Sequence, residues 1–593
     1  MGESIQGEYE RRRAGFEGEF HRSTERSSTM TMWLLGALAG LAYALYQVIH
    51  SNQHAWWLLT PLVVLAIIIP GLLRARSASQ RAMRLLDVYE RGLARVDGSQ
   101  TQSGHTGEAF HEEGHLYERD LNILGPDSIF GMLATTRTAV GERALAALLL
   151  HGADAGTVQN RQAAVRELAP MLDLREQVAM LGRSAFDELP AESFDRWLDH
   201  VGDGFAMWMR WFLIALTAVW MGWVVAALLH RVEFATMLRN LEAVLAAEGA
   251  FALWLRPKVM AEMEASQRLS GQTAILRAGL KLLQRQKFES PLLQRLQTDA
   301  AGDERALAAL SRSLTLVEQR SKEWFYAPAM LLAVGTHAAI SLDAWKREHG
   351  AAMRKWVATW AEFEALLAVA TYAAEHVENV YPKIVDSGPA TFIAKQLAHP
   401  LLPSAQAVAN DVKLDADTRF LLISGSNMAG KSTLLRSVGC NTVLALAGAP
   451  VCARTVTMSA LNVGASLALV DSLAEGKSKF LAEVERLRDI VALAKNGSAL
   501  FLIDEIFSGT NSADRRAAAE AVLRALMREG AIGALSTHDL ALAELAEMPG
   551  LGGRNVHMAS PDESDPLGFD YLLKPGVNRT TNALAIVKML GLG

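Results

Sequence analysis

The run Phe420 to Ile423 is apolar, and it leads into Gly425, Ser426, Asn427, Met428, Ala429, Gly430, Lys431, Ser432 and Thr433 before apolar residues resume at helical spacing. A buried strand, a loop of the form G-x-x-x-x-G-K-S and a helix in that order predict a phosphate-binding site. Gly425 and Gly430 let the backbone curl so that its N–H groups face phosphate oxygens, and the helix directs its positive end at the same charge. Lys431 adds a point charge for the β- and γ-phosphates, and the Ser432 hydroxyl suits Mg²⁺.

Two later strand ends complete this chemistry. Ala499 to Ile503 reads as a buried parallel strand and ends in Asp504 and Glu505. Asp504 is placed to hold Mg²⁺, directly or through water, and Glu505 to polarise an attacking water. Ala531 to Leu535 is a further strand, ending in Ser536, Thr537, His538 and Asp539. A histidine there can reach a γ-phosphate and report its presence. Between these strands Asp471 to Glu483 opens a helix, with Ser478 expected as its cap and Glu483 on its polar face.

With 593 residues, several domains are expected. Half of the residues are apolar and mean hydropathy is +0.13, which points to membrane segments. A net charge of −6 gives no basic field aimed at nucleic acid. The two cysteines, Cys440 and Cys452, offer neither a disulfide framework nor zinc spacing and read as reduced core thiols.

Met30 to Ile49 and Ala55 to Leu73 are each about twenty residues without a charge, long enough to span a bilayer. Trp33, Tyr43, Tyr46, Trp56 and Trp57 provide interfacial aromatics, and arginines flank both outer ends while the loop carries none. A transmembrane hairpin at 30–75 with both ends in the cytoplasm follows, after a polar tail at 1–29. Residues 76–115 read as a helix and a linker. Trp211 to Leu229 is a third apolar stretch, and the cytoplasmic site demands an even number of crossings. Either 211–229 does not cross and packs on other helices, or a second hairpin forms over 205–256. The hairpin is the favoured expectation, although Arg239, Glu242 and Glu248 are expensive at mid-bilayer. Residues 116–204 and 257–396 are helical in pattern. Arg277, Lys281 and Arg285 form one basic stripe, readable as a phosphate or lipid contact or as a solvated face.

The segments from 397 to 593 resemble the MutS family of DNA-mismatch-repair ATPases. The phosphate loop is similar to that family's, with Ser426 and Ala429 standing where Pro and Gly are usual, and Phe507 and Ser508 replacing a usual Gly-Arg pair. Asp504 and Glu505, Gly509-Thr510, Asp514 and the histidine at 538 also fit, as do His399, Asn410 and Asn555 to Met558. The segment around Ser478 resembles the one whose serine reaches the ATP of the other subunit. The family's adenine-stacking aromatic falls at Ala407. Asp127 to Phe130, Thr138, Gly141, Arg143 and Arg161 to Val165 look like the family's helical core domain.

Beside the transmembrane hairpin read from the apolar stretches, this resemblance implies a multidomain chain with an all-α core and lever region and a C-terminal α/β P-loop ATPase domain of the ABC/MutS type at 397–593. It implies ATP and Mg²⁺ as ligands. Lys431, Glu505 and His538 would act in catalysis, and Ser432 and Asp504 on the metal. Residues 425–433 and Asn410 would bind nucleotide, with Ser478 contributed in trans by a homodimer partner. Residues 1–115 leave no room for the family's mismatch-sensing domain. Phe110-His-Glu112 and Phe186-Asp-Glu188 match its wedge tripeptide outside any suitable domain. Two classes of work remain open. One is DNA clamping without mismatch recognition at the inner face of the cytoplasmic membrane. The other is mechanochemical action on a membrane or protein partner. An ABC-type transporter ATPase is disfavoured, because no signature lies between the phosphate loop and Asp504.

Overall fold

The computed structural model describes residues 5–50, 54–99, 102–182, 190–200, 204–266, 269–320, 329, 332–403, 405–426, 428–467, 479–507, 512–561 and 568–578. Asn427 and Ser478 thus lie outside the described residues, as do Phe186 to Glu188, Gly509, Thr510 and the closing segment.

Helix α1 spans Ile5–His50 and α2 spans Leu59–Val96, joined through a short 3₁₀ turn, Ala55–Leu58. The expected tail is helix from Ile5 onward, continuous with the apolar stretch. Its polar half packs on protein. Phe16 stacks on Tyr89 with ring centroids 5.9 Å apart, and Arg12 reaches Asp173 and Glu176 at 2.7 Å. Beyond this base both helices expose apolar side chains, Trp33, Leu35, Ile67 and Leu73 among them.

The helical core begins at α3 (Ile129–Leu133), where Ser128 caps by accepting from the Gly131 N–H at 3.1 Å. Thr138 and Asp154 cap α4 (Ala139–Leu150) and α5 (Ala155–Leu168) in the same way. Short α6 (Leu172–Ala179) and α7 (Ser193–Asp199) precede a second hairpin, α8 (Met207–Leu228) and α9 (Phe234–Ala265). Phe212 and Phe251 meet across it with centroids 4.8 Å apart. Among the described residues, three helices are long and apolar enough to cross a membrane, within Ile5–His50, Trp56–Val96 and Trp208–Leu228. The return helix α9 is not among them. Its far end is fixed in the core, where buried Glu262 accepts from Trp197 Nε1 and Lys346 Nζ, both at 2.9 Å.

Helices α10 (Leu269–Arg285), α11 (Pro291–Asp299) and α12 (Glu304–Arg320) pack on the 42-residue α13, Val334–Glu375. Arg277 and Lys281 share Glu304, at 3.6 and 3.0 Å. Two cations of the basic stripe are therefore paired within the chain, which favours the solvated-face reading.

At the end of α13, Glu375 accepts both Arg95 Nε and Nη2 at 2.7 Å and the Tyr9 hydroxyl at 3.2 Å. Strands then begin at Lys383, earlier than position 397. Strands β1 (Lys383–Val385), β2 (Phe392–Leu397), β3 (Asn410–Leu414) and β5 (Thr455–Ser459) form a small sheet in the order β1-β5-β2-β3. The main sheet has the order β10-β9-β4-β8-β7-β6. It comprises β4 (Phe420–Gly425), β6 (Asn462–Ser466), β7 (Ala499–Asp504), β8 (Ile532–Thr537), β9 (Gly553–Met558) and the short β10 (Lys574–Pro575). All its neighbours pair in parallel except β10 with β9. Helices α14 (Lys431–Leu446), α15 (Lys479–Ala494) and α16 (Ser512–Arg528) cover it.

One buried group in the core makes stability pH-dependent. Glu364 is 1% exposed, and burial pushes its carboxyl up to about 8 against the opposing effect of bonds from Thr138 and the Arg137 N–H. The folded chain keeps this proton where the unfolded chain releases it, so the group's contribution to stability declines as pH rises from about 4.5 to about 8. Glu364→Gln is expected to flatten that decline, measured as the melting temperature of detergent-solubilised protein across this interval.

Candidate nucleotide site

The ends of β4, β7 and β8 lie side by side, and their register sets the site. Ser424 pairs with Thr537, and Asp504 with Ser536. These are the carboxyl ends of neighbouring parallel strands, where α/β sheets present their ligand sites. A side chain at residue 425 would meet the Met558 carbonyl at 2.5 Å, so the close approach of β9 requires glycine there. Gly430 has φ +94° and begins α14, so the loop closes through a conformation that favours glycine.

Lys431 is buried and donates to the carbonyls of Gly425 and Ser426, both at 2.9 Å. Burial lowers its pKa, opposed by the charges of Asp504 and Glu505. Asp504 receives the hydroxyls of both Ser432 and Ser536. These oxygens suit a hard divalent cation, and Ser432 and Asp504 would hold Mg²⁺, which would supply positive charge to offset that of the phosphates. Glu505 has φ +52° and donates its N–H to the Ser536 carbonyl at 3.1 Å. Its carboxylate faces His538 Nδ1 at 3.3 Å. The sequence-predicted Lys431, Ser432, Asp504, Glu505 and His538 thus converge.

A cavity of about 740 Å³ opens beside the loop, lined by Met428, Gly430, Lys431, Ser432, Thr433, Asp504, Glu505 and Asn410. Ala429 is buried. Asn410 does not reach the loop directly. Its side chain accepts from the Leu573 N–H at 2.7 Å and donates to the Tyr571 carbonyl at 3.0 Å. That bracket holds Tyr571 in the cavity wall against Gly430, 3.0 Å from where a Cβ would stand. Tyr571 is an aromatic face that the sequence reading missed, since it sought one only near Ala407.

Glu483, expected on a polar face, is instead 2% exposed and accepts the Phe507 N–H at 2.5 Å. Phe507 has φ +53°, the conformation that the glycine usual at this place adopts without strain. Arg515 holds it from the other side by donating to its carbonyl at 3.1 Å, and pairs with Asp539 beside His538 at 3.0 Å.

Residues 421–593 match the family model for MutS domain V. The matches support a MutS-family protein. Among known proteins the chain is similar to the DNA mismatch repair protein MutS of Natronomonas pharaonis, with 32% identity over 39% of this chain and 27% of the relative. It is 36% identical to the endonuclease MutS2 of Thermus thermophilus over 33% of this chain and 25% of that one. The DNA mismatch repair protein MutS 1 of Haloarcula marismortui is 32% identical over 38% and 24%. The chain therefore spans about a quarter of the length of these relatives. The C-terminal unit is thus similar to MutS domain V and follows a helical N-terminal region.

If Tyr571 holds a base by stacking, Tyr571→Ala forfeits about 1.5 kcal/mol, roughly a tenfold rise in KM for ATP with kcat little changed. Steady-state turnover at saturating and limiting ATP measures both.

Proposed function

We propose that this chain is a Mg²⁺-dependent ATP hydrolase of the MutS type, anchored in the cytoplasmic membrane by the hairpin at 30–75 with its nucleotide unit on the cytoplasmic side. The observation that carries this reading is the convergence of Lys431, Ser432, Asp504 and the Glu505–His538 pair at three adjacent strand ends. Lys431 neutralises phosphate charge, Ser432 and Asp504 hold the metal, and Glu505 orients and polarises the attacking water. His538 senses the state of that carboxylate. The protein acts as a homodimer through the ATPase domain, with the Ser478 segment of each subunit completing the site of the other. Membrane anchoring is supported by the exposed apolar faces of α1 and α2 and their arginine flanks.

Lys431→Ala should abolish turnover. Glu505→Gln should bind ATP and hold the dimer closed, seen as a nucleotide-dependent shift in gel filtration. Full turnover in the first variant would remove the site assignment.

DNA is the ligand that the relatives' names suggest, taken here without mismatch recognition. A second reading, mechanochemical action on a membrane or protein partner, is favoured by the pairing of Arg277 and Lys281 with Glu304 and by the attachment of both membrane helices to α13. Turnover with linear, mismatched and branched DNA at two salt concentrations separates the two. Stimulation that weakens steeply with salt marks a DNA clamp, and turnover indifferent to all three marks the other.

A further inference from the structure

Away from the nucleotide site, the loop entering the helical core carries His111, Glu112, Glu113 and His115 in close succession. The fold brings His151, the residue that ends α4, against this loop. One ring nitrogen from each of His115 and His151 and one carboxylate oxygen of Glu112 lie within 4.8 Å of one another. His151 Nε2 is already 3.1 Å from Glu112 Oε1. We propose that Glu112, His115 and His151 form a binding site for a divalent transition metal, Zn²⁺ foremost, with water completing the coordination.

The donor set selects the metal. Two imidazoles and one carboxylate suit Zn²⁺, Ni²⁺ or Cu²⁺, whereas Mg²⁺ and Ca²⁺ prefer oxygen alone. Zinc ligands sit at about 2.0–2.2 Å, which puts ligand atoms roughly 3.4 Å apart in a tetrahedron. The Glu112–His151 pair, at 3.1 Å, is already slightly inside that separation, and the rest of the group has at most about 1.4 Å to close. The backbone steadies the participants. His151 donates its N–H to the Ala147 carbonyl at 3.0 Å, and His115 meets the Leu150 carbonyl through Nε2 at 2.9 Å. On its other edge His115 Nδ1 accepts long bonds from the Glu118 and Tyr117 N–H groups, at 3.2 and 3.4 Å. Both ring nitrogens are engaged, so ligation requires His115 to give up the bonds at one of them, and the bond at the other then orients the ring as in metal-binding histidines.

His111 is not a fourth ligand. Its nitrogens lie 2.6 Å from Glu118 Oε1 and from Arg119 Nη2. Three protein ligands leave a position open to solvent, and His115 and His151 face a cavity of about 390 Å³ shared with Leu446, Leu461 and Leu493 of the nucleotide unit. The site also abuts the nucleotide unit. The His115 carbonyl accepts Arg486 Nη1 of α15 at 2.8 Å, and the adjoining Leu116 carbonyl accepts the Ala465 N–H of β6 at 2.8 Å. Bound metal would staple this loop to the end of α4 and stiffen the seat of α15.

The test uses the full chain in detergent, without a histidine tag or nucleotide, stripped with chelator and titrated with Zn²⁺. Metal retained through gel filtration is expected at one equivalent per chain, with Co²⁺ giving the visible absorption of a four-coordinate ion. His151→Asn and Glu112→Gln should each lose both signals, while Asp504→Asn, in the nucleotide site, should keep them. The His151 side chain is 58% exposed, so its replacement leaves the core packed, and an unchanged melting temperature without metal checks this. Absence of retained zinc in the wild type, or equal retention in the His151 and Glu112 variants, overturns the proposal.

Discussion

The bidentate pair between Arg95 and Glu375 is the contact on which the helical part depends. Glu375 closes the 42-residue α13, and the sheet-bearing unit starts a few residues later. One carboxylate there receives the C-terminal end of α2 through Arg95 and the start of α1 through Tyr9. Arg175 of α6 donates to the same Tyr9 hydroxyl at 3.1 Å. The Glu375 side chain is 2% exposed and that of Arg95 14%, so both charges have given up most of their water. Such a pair adds little net stability over an apolar replacement, but losing one partner strands the other. Its effect is on geometry: the two hairpin ends can attach to α13 at one height only.

Asp120 does the corresponding work between the core and the nucleotide unit. Its carboxylate accepts Arg486 of α15 and the Leu467 N–H, both at 2.6 Å, while its carbonyl accepts Arg436 of α14 at 3.0 Å. The helix that follows the phosphate loop and the helix that follows the expected in-trans segment therefore meet at one core residue. Apolar packing reinforces the joint, since Leu121 is fully buried and lies where a side chain at Gly439 would have to go.

What was legible in the sequence follows from how local its physics is. Strand, loop and helix at 420–446 are contiguous, and Asp504, Glu505 and His538 could be placed because each ends an apolar run. The caps at Ser128 and Thr138 are equally local. Tyr571 was not legible, because it is set beside the loop by Asn410 across 161 residues of chain. Nor was the Arg95–Glu375 pair, separated by 280 positions. The helix over 5–29 read as a solvated tail because its contacts run through tyrosine, phenylalanine and arginine rather than an aliphatic stripe. Glu483 was misassigned for a related reason. A carboxylate on an amphipathic helix looks solvent-facing until a distant N–H, here that of Phe507, requires it inside.

These contacts form a continuous path from the site to the hairpin of α1 and α2. Phe507, two residues beyond Glu505, is held in a left-handed conformation by Glu483 and Arg515. Glu483 lies on the same helix as Arg486, and Arg486 bonds both Asp120 and the His115 carbonyl. A shift of the Glu505 backbone must therefore strain Phe507 or move α15. Moving α15 displaces the loop 111–121 on which it rests. That loop begins the core domain, whose helices α4 and α5 pack on α13, and α13 carries Glu375. Each link is a buried or charge-assisted bond with little slack, so displacement passes along the chain of contacts more readily than it is absorbed. The path ends where α1 and α2 leave this bracket and expose apolar side chains such as Trp33, Leu35, Ile67 and Leu73.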